Sequence, residues 1–362
     1  MTVRERMLHV YNNEIPDQIP VGIYNRYLPR GTWEREVRNT GLGIIAYYPI
    51  STLMAPPWHL TPGFFSEIKN VDFQLSYKWT NGERIEVRTF ETPVGTISEH
   101  ITKDPVYGSD WISKHYITCE EDYKILSYIA ENTVFSSNEK HIRDLRKDLG
   151  DDGVVLGRID RTPFQKMIVE LAGPERFLID MMSEVPAVGE LLEIMGQRHI
   201  ESMDMILNSS ADVIWQPENV TGELTPPYYY EEYCMPYYIA VSERCTAAGK
   251  PYVVHLDGRL KALSEKIDQS AFGGIESFSY MQMGNDISLS DLRKACPDKV
   301  ILPNFPSGLS TESEEVITQF LNEAFKEAGT DKAFMIQISE DIPKDQLYKV
   351  ASLLCRYTEK KG

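Results

Sequence analysis

The sequence predicts an α/β chain built as a single (β/α)₈ TIM barrel with an N-terminal antiparallel hairpin insertion. Three observations predict it. Six separate apolar stretches read as buried strands that stop on a chemically capable residue. They are PVGIYNR (Asn25, Arg26), DVIWQPEN (Glu218, Asn219), YVVHLDG (His255, Asp257), GIESFSY (Glu276), VILPNF (Asn304) and FMIQISED (Glu340, Asp341). Most are followed by a short polar or proline turn and then a helix-like segment, the alternation of a parallel sheet. The rival architecture, an open nucleotide-binding sheet, needs a GxGxxG after its first strand, and PVGIYNRYLPRG has none. Strands that all point one way gather their end residues on one face, which is where such barrels place an active site.

Each element has a local reason. The first strand is Pro20–Asn25, followed by a helix over Thr32–Asn39 and a second strand at Gly43–Tyr48. From about 72 to 102 the period changes to two: FQLSYKW, ERIEVRTF and GTISEHI alternate, with Asn81-Gly82 and Pro93–Gly95 at the turns, an antiparallel excursion. Helices follow near Glu120–Glu131 and Glu139–Lys147. The third strand is Val154–Ile159, and TPFQKMIVELAG carries a threonine N-cap with proline at the first helical position. Helix then runs to about Ser209. Strands four to eight are Asp212–Pro217, Tyr252–Leu256, Ile275–Ser279, Val300–Phe305 and Ala333–Ile338. Helices over 228–248, Ser288–Ala295, Thr311–Glu327 and Lys344–Tyr357 fill the gaps. One barrel domain over 1–362 accounts for the length.

Composition narrows the function class. Of 362 residues, 37 are Lys or Arg and 54 Asp or Glu, a net charge of −17, with no basic stripe of the kind that neutralises phosphates; no nucleic-acid partner is expected. Apolar runs fall short of the ~20 residues that a membrane span needs, so no membrane partner is expected either. The N-terminus lacks the apolar core of a signal peptide. The five cysteines are scattered and never form a CxxC pair, which fits reduced thiols and a cytoplasmic location. The sequence is compatible with a homodimer and does not specify one.

His255 ends a hydrophobic strand and Asp257 lies two residues on, on the same side while the strand persists. With Glu218, Asn219, Glu276, Asn304 and Glu340 at other strand ends, they form either a divalent-metal site or a metal-free acid/base site. Cys234, inside the helix after strand four, is either a packing residue or a soft ligand to the same metal. Tyr24, Asn25, Arg26 and Arg30 beside the first strand, and Asp160 and Arg161 beside the third, are candidates for holding substrate; arginine there clamps a carboxylate or phosphate, or pairs with the surplus acids. Trp58, His59, Phe64 and Phe65 sit in a Pro/Gly-rich loop, a lid or local packing.

These same segments carry a resemblance. RNTGLGI, RTFETPVGTIS, GDDGVV…RTPFQ, PEN…TPPYYYEEYCMPYY, GKPYVVHLDGRLKAL, GIESF, LPNFPSG and ISEDIP resemble, over nearly the whole length, the uroporphyrinogen decarboxylase-like superfamily of (β/α)₈ barrels, closest to its corrinoid-dependent methyltransferases. Members acting on coenzyme M hold zinc through an HxC motif after the fifth strand and a cysteine at the end of the last. Carried over, the histidine falls on His255, the first cysteine on Asp257 and the second on Glu340, so carboxylates replace both thiolates. The resemblance then implies zinc held by His255 and Glu340 with a third ligand from Glu218, Asn219, Cys234 or Asp257. It implies a small methoxylated or methylated donor, as in O-demethylation, and a separate corrinoid protein supplying cobalamin, since no DxHxxG-type loop occurs in the chain. The superfamily's other activity implies a metal-free decarboxylase of a tetrapyrrole, with Arg26 and Arg30 on the carboxylates.

Overall fold

A computed structural model describes residues 1–28, 30–49, 66–103, 110–137, 139–329 and 332–359. The chain divides into two units: Met1–Tyr48, Glu139–Ile159 and Leu207–Gly362 in the first, Pro49–Asn138 and Asp160–Ile206 in the second. The Trp58–Phe65 loop lies outside the described residues.

The first unit is built on eight parallel strands: β1 (Val21–Tyr24), β2 (Gly43–Pro49), β3 (Gly153–Arg158), β4 (Val213–Pro217), β5 (Tyr252–His255), β6 (Gly274–Phe278), β7 (Val300–Pro303) and β8 (Ile336–Ile338). Their order is β7-β6-β5-β4-β3-β2-β1-β8. A single parallel bridge between Asn304 and Gln337 joins the two ends, and the Phe305 amide donates to the Gln337 carbonyl at 2.6 Å. The ring is therefore a nearly closed barrel, as the sequence predicts. Residues at alternate positions, among them Ile45, Val154, Leu156, Val213, Trp215, Val253 and Leu302, form one buried interior.

An element not anticipated from sequence occupies the amino end of this interior. Helix α1 (Val3–Tyr11) starts on a capping box in which Thr2 accepts from the Glu5 amide and Glu5 accepts from the Thr2 amide. Its Met7, Val10 and Tyr11 join the barrel interior. Burial of each such side chain contributes about 1.5–3 kcal/mol. Room for them comes from Gly43: a Cβ there would stand 2.4 Å from the Met7 sulfur. Arg4 fixes the helix by donating to both Asp212 oxygens (2.9 and 2.5 Å) and to the Gly153 carbonyl at 2.9 Å.

The helix over 227–247 contains a π turn at Tyr230–Cys234 just before Pro236. Proline there lacks an N–H and its ring crowds the carbonyl four residues back, so the widened turn absorbs the conflict.

The second unit holds a four-stranded antiparallel sheet, Asp72–Thr80, Glu83–Thr92, Gly95–Lys103 and Asp110–Lys114, in sequential order. The predicted excursion thus gains a fourth strand. Asn81 and Gly82 both have positive φ (52° and 83°), the two-residue turn that Asn-Gly favours. Helix Glu121–Asn132 packs on this sheet, where a Cβ at Gly95 would meet Ile125 at 2.6 Å. Helices Pro174–Met182 and Pro186–Leu207 follow; the predicted continuous run is broken between them.

Candidate active site

The carboxyl ends of β1, β4, β5 and β6 meet at one carboxylate. His255 and Glu276 are direct partners in adjacent parallel strands, so both side chains leave the sheet on the same face. His255 Nδ1 lies 2.7 Å from Glu276 Oε2, the Trp215 indole N–H donates to that oxygen at 2.8 Å, and the Tyr24 hydroxyl donates to Oε1 at 2.5 Å. The Glu276 side chain is fully buried, so three donors replace the water it loses. Tyr24 stays a donor, because burial and then the Glu276 charge push its hydroxyl far above its usual range.

The other imidazole nitrogen of His255 faces Asp257 Oδ2 at 3.4 Å, and Asn219 Nδ2 donates to Asp257 Oδ1 at 2.9 Å. Burial works against the charged ring, but Asp257 and then Glu276 outweigh it and raise the His255 pKa to about 10. Burial also pushes the Asp257 carboxyl up, yet His255 and Asn219 hold it at about 2. The arrangement is an imidazolium between two carboxylates, one sealed inside and one 37% exposed.

The backbone is bent to make this. Ser277 has φ 58° at a break in the β6–β7 register, and Asn219 has φ 52° just beyond β4. Left-handed backbone costs a non-glycine residue roughly 1–2 kcal/mol, and irregularities of this kind concentrate beside functional groups. Gln337 Oε1 accepts from the Ser277 amide at 3.1 Å, and the Ser277 and Ser339 hydroxyls lie 2.6 Å apart, which holds the bulge.

Of the expected residues, Tyr24, Asn219, His255, Asp257 and Glu276 form this cluster. Asn304 accepts from the Ser339 amide at 3.0 Å and Glu340 from the Ser307 amide at 3.2 Å, both contacts between chain segments. Asn25 and Arg26 lie in a short turn after β1, with Arg26 over the Tyr27 ring at 5.0 Å. Glu218 is fully buried and accepts from Tyr238 at 3.0 Å. Cys234 is equally buried in the π turn beside Tyr230 and Tyr238, a position that fits the packing alternative of its two readings. In the second unit, Asp160 accepts from Lys166 at 2.9 Å and Arg161 donates to Glu170 at 3.0 Å, an ion-pair network with Lys166 also on Glu170. Trp215 was missed. Its signal was present: among the described residues it is the only indole on a buried strand position, two residues before the strand's end.

The expected zinc ligands do not assemble. Among the described residues no group of three or more His, Cys, Asp or Glu side chains is placed to hold a metal ion. His255 and Asp257 offer two donors, with Glu276 behind the histidine as carboxylates stand behind zinc-bound imidazoles, but the third ligand of a zinc centre is missing from the described set.

Eight parallel strands in a nearly closed ring, with ionisable groups gathered at their carboxyl ends, define a (β/α)₈ barrel of the kind that houses enzyme active sites. The chain belongs to the uroporphyrinogen decarboxylase (URO-D) family, whose profile matches residues 114–354. No curated protein matches it in sequence. Among solved structures it is similar to a methyltransferase from Methanosarcina mazei at 12% identity and a TM-score of 0.59, with each chain covered over 100% of its length. A structure provisionally described as a vitamin-B12-independent methionine synthase from Listeria monocytogenes aligns over 61% of this chain and 69% of its own, at 13% identity and a TM-score of 0.42. Among the described residues no helix is long and apolar enough to cross a membrane.

Proposed function

We propose that this chain is a methyltransferase that moves a methyl group from a small methoxylated or methylated donor to a separate corrinoid protein. The observation that carries the reading is the His255 imidazole, fixed by Glu276 on one nitrogen and presented with the other beside Asp257 at the carboxyl end of the barrel. A leaving alkoxide or amine needs a proton or a cation on its heteroatom, and a positioned imidazolium supplies one. The O–CH₃ bond breaks, the methyl goes to the nucleophilic corrinoid as the second substrate, and the oxygen takes the proton from His255. Asp257 and Glu276 stabilise the charged ring beforehand, and Tyr24 and Trp215 keep Glu276 in place. No step runs through zinc, because two donors do not make its site; a protonated histidine takes the place of the Lewis acid that the resemblance implied.

Family membership favours a second reading, decarboxylation of a carboxylated tetrapyrrole. Its carboxylate clamp is weakly served: Arg26 lies against the Tyr27 ring, and the side chain of Arg30 is 67% exposed and faces Glu34 at 3.8 Å. Anaerobic incubation with methoxyaromatics or methylamines and an added reduced corrinoid protein, followed by the corrinoid spectrum, tests the first reading. Methylation that His255→Ala abolishes is the expected result. Porphyrin products from uroporphyrinogen, with no corrinoid methylation from any donor, would replace the first reading by the second. One equivalent of zinc in protein purified without chelator would remove the imidazolium role.

A further inference from the structure

We propose that Tyr11 and Gln337 are positioning residues for the Glu276–His255 pair, joined in one buried hydrogen-bonded chain that carries the placement of helix α1 to the carboxyl end of β6. The proposal deepens the function given above and rests on that site. It starts from a bulge. Glu276 pairs with Leu302 and Phe278 with Pro303, so Ser277 between them has no partner in β7. The residue type supplies the reason: Pro303 has no N–H to give a ladder, and proline within a sheet sits at edges or bulges.

Two residues of the last strand and its exit satisfy Ser277 instead. Gln337 Oε1 accepts from its amide at 3.1 Å, and its hydroxyl lies 2.6 Å from that of Ser339. Gln337, in β8, and Ser339, just past its end, are two residues apart and so face the same way while the extended backbone persists. The amide of Gln337 has one workable orientation. With its oxygen on the Ser277 N–H, its NH₂ faces Tyr11 and donates to that hydroxyl at 3.4 Å. Burial and then the Glu276 charge keep the Tyr11 hydroxyl protonated, far above its usual range. Gln337 and Tyr11 are both buried. An apolar residue would fill the same space without desolvating an amide, so what the glutamine adds is its bonds.

Gln337 is a fixed arm, because its backbone is held on both sides. It pairs with Gly22 of β1, and its carbonyl accepts from the Phe305 amide at 2.6 Å. The Glu276–Ser277 peptide group is therefore held by β8 and α1, while Tyr24 and Trp215 hold the carboxylate itself. Without the Gln337 oxygen, a buried N–H loses its acceptor and the left-handed backbone at Ser277 loses its support. The peptide group then rotates and draws the Glu276 carboxylate off the Trp215 indole and His255. Tyr11 acts one step further back: without its oxygen the Gln337 NH₂ is unmatched and the amide turns more freely.

The Trp215 indole N–H reports this placement, because it donates to Glu276 Oε2. With isotope-labelled tryptophan in the full chain, Trp215→Phe assigns its magnetic-resonance signal among the five tryptophans. In the wild type that proton should lie downfield and exchange slowly with solvent. Gln337→Met should move it upfield and speed its exchange about ten-fold, the equivalent of one ordinary hydrogen bond. Tyr11→Phe should do the same to a smaller extent. Val10→Ala is the control: it truncates the same buried face of helix α1 outside the chain, so it should lower stability and leave the signal in place. A signal unmoved in both Gln337→Met and Tyr11→Phe overturns the proposal, as does Val10→Ala shifting it as far as Gln337→Met does. Should Gln337→Met not fold, Tyr11→Phe against Val10→Ala decides. No substrate is needed, so failure of this inference and failure of the methyl-transfer reading are separate results.

Discussion

Replacing Glu276 by glutamine keeps the shape of the buried side chain and removes its charge. All three partners are donors, so an amide oxygen placed at the Oε2 position keeps Trp215 and His255, while the amide NH₂ turns to Tyr24 and displaces the proton that Tyr24 donated. One charge-assisted hydrogen bond is lost outright and the other two are weakened, which costs about 1.5–3 kcal/mol near neutral pH. The pH dependence is the sharper readout. His255 titrates near 6.5 when unperturbed and at about 10 in the fold, so its stabilising contribution is complete below pH 6.5 and is lost as pH rises toward 10. That interval corresponds to roughly 5 kcal/mol shared between Asp257 and Glu276, and the Asp257 part is screened because its side chain is 37% exposed. Urea unfolding of wild type and Glu276→Gln between pH 6.5 and 9.5 should show a gap that is widest at the acid end and narrows as His255 loses its proton. The His255 ring resonance should titrate at lower pH in the variant. A gap of constant size, with the ring titration unmoved, would refute the buried ion pair.

Two further outcomes follow from the barrel's two ends. Arg4→Ala leaves the mostly buried Asp212 with Arg146 and the Val155 amide alone, and should lower stability by about 3 kcal/mol in chemical denaturation, with Arg4→Lys recovering only part because it cannot bond both oxygens. Gly258→Ala sets a Cβ 2.2 Å from the Val220 carbonyl, so the segment after Asp257 must shift; about 1–3 kcal/mol of stability and the His255–Asp257 contact should go together, visible as a drop in the His255 titration point.

The strands were legible because each is a short, mostly apolar stretch closed by polar residues, and all eight fall within three residues of their predicted ends. Helix α1 was not, because MTVRERMLHVY carries too few apolar residues to announce a buried face; only the barrel interior makes Met7 and Tyr11 core residues. The fourth antiparallel strand, DWISK, is too short to alternate convincingly. At the candidate site, strand-end position anticipated that His255, Asp257 and Glu276 come together, since parallel strands bring their ends to one face. It left Glu218 and Cys234 open, because a sequence shows that a residue follows a strand and not which neighbours its side chain meets; Glu218 accepts from Tyr238 and Cys234 is buried in the π turn. The left-handed backbone at Ser277 and Asn219 has no signature in residue type beyond the asparagine.

Helix α1 also sets a schedule. Tyr11 hydrogen-bonds to Gln337, 326 residues away, and β1 pairs with β8. A ribosome adding about 5–20 residues per second needs tens of seconds to bridge that distance. Throughout that time the apolar face of helix α1 is waiting for β8, with Met7 and Val10 open to whatever else binds oily surfaces. The newborn chain must therefore be guarded at helix α1 for that whole interval.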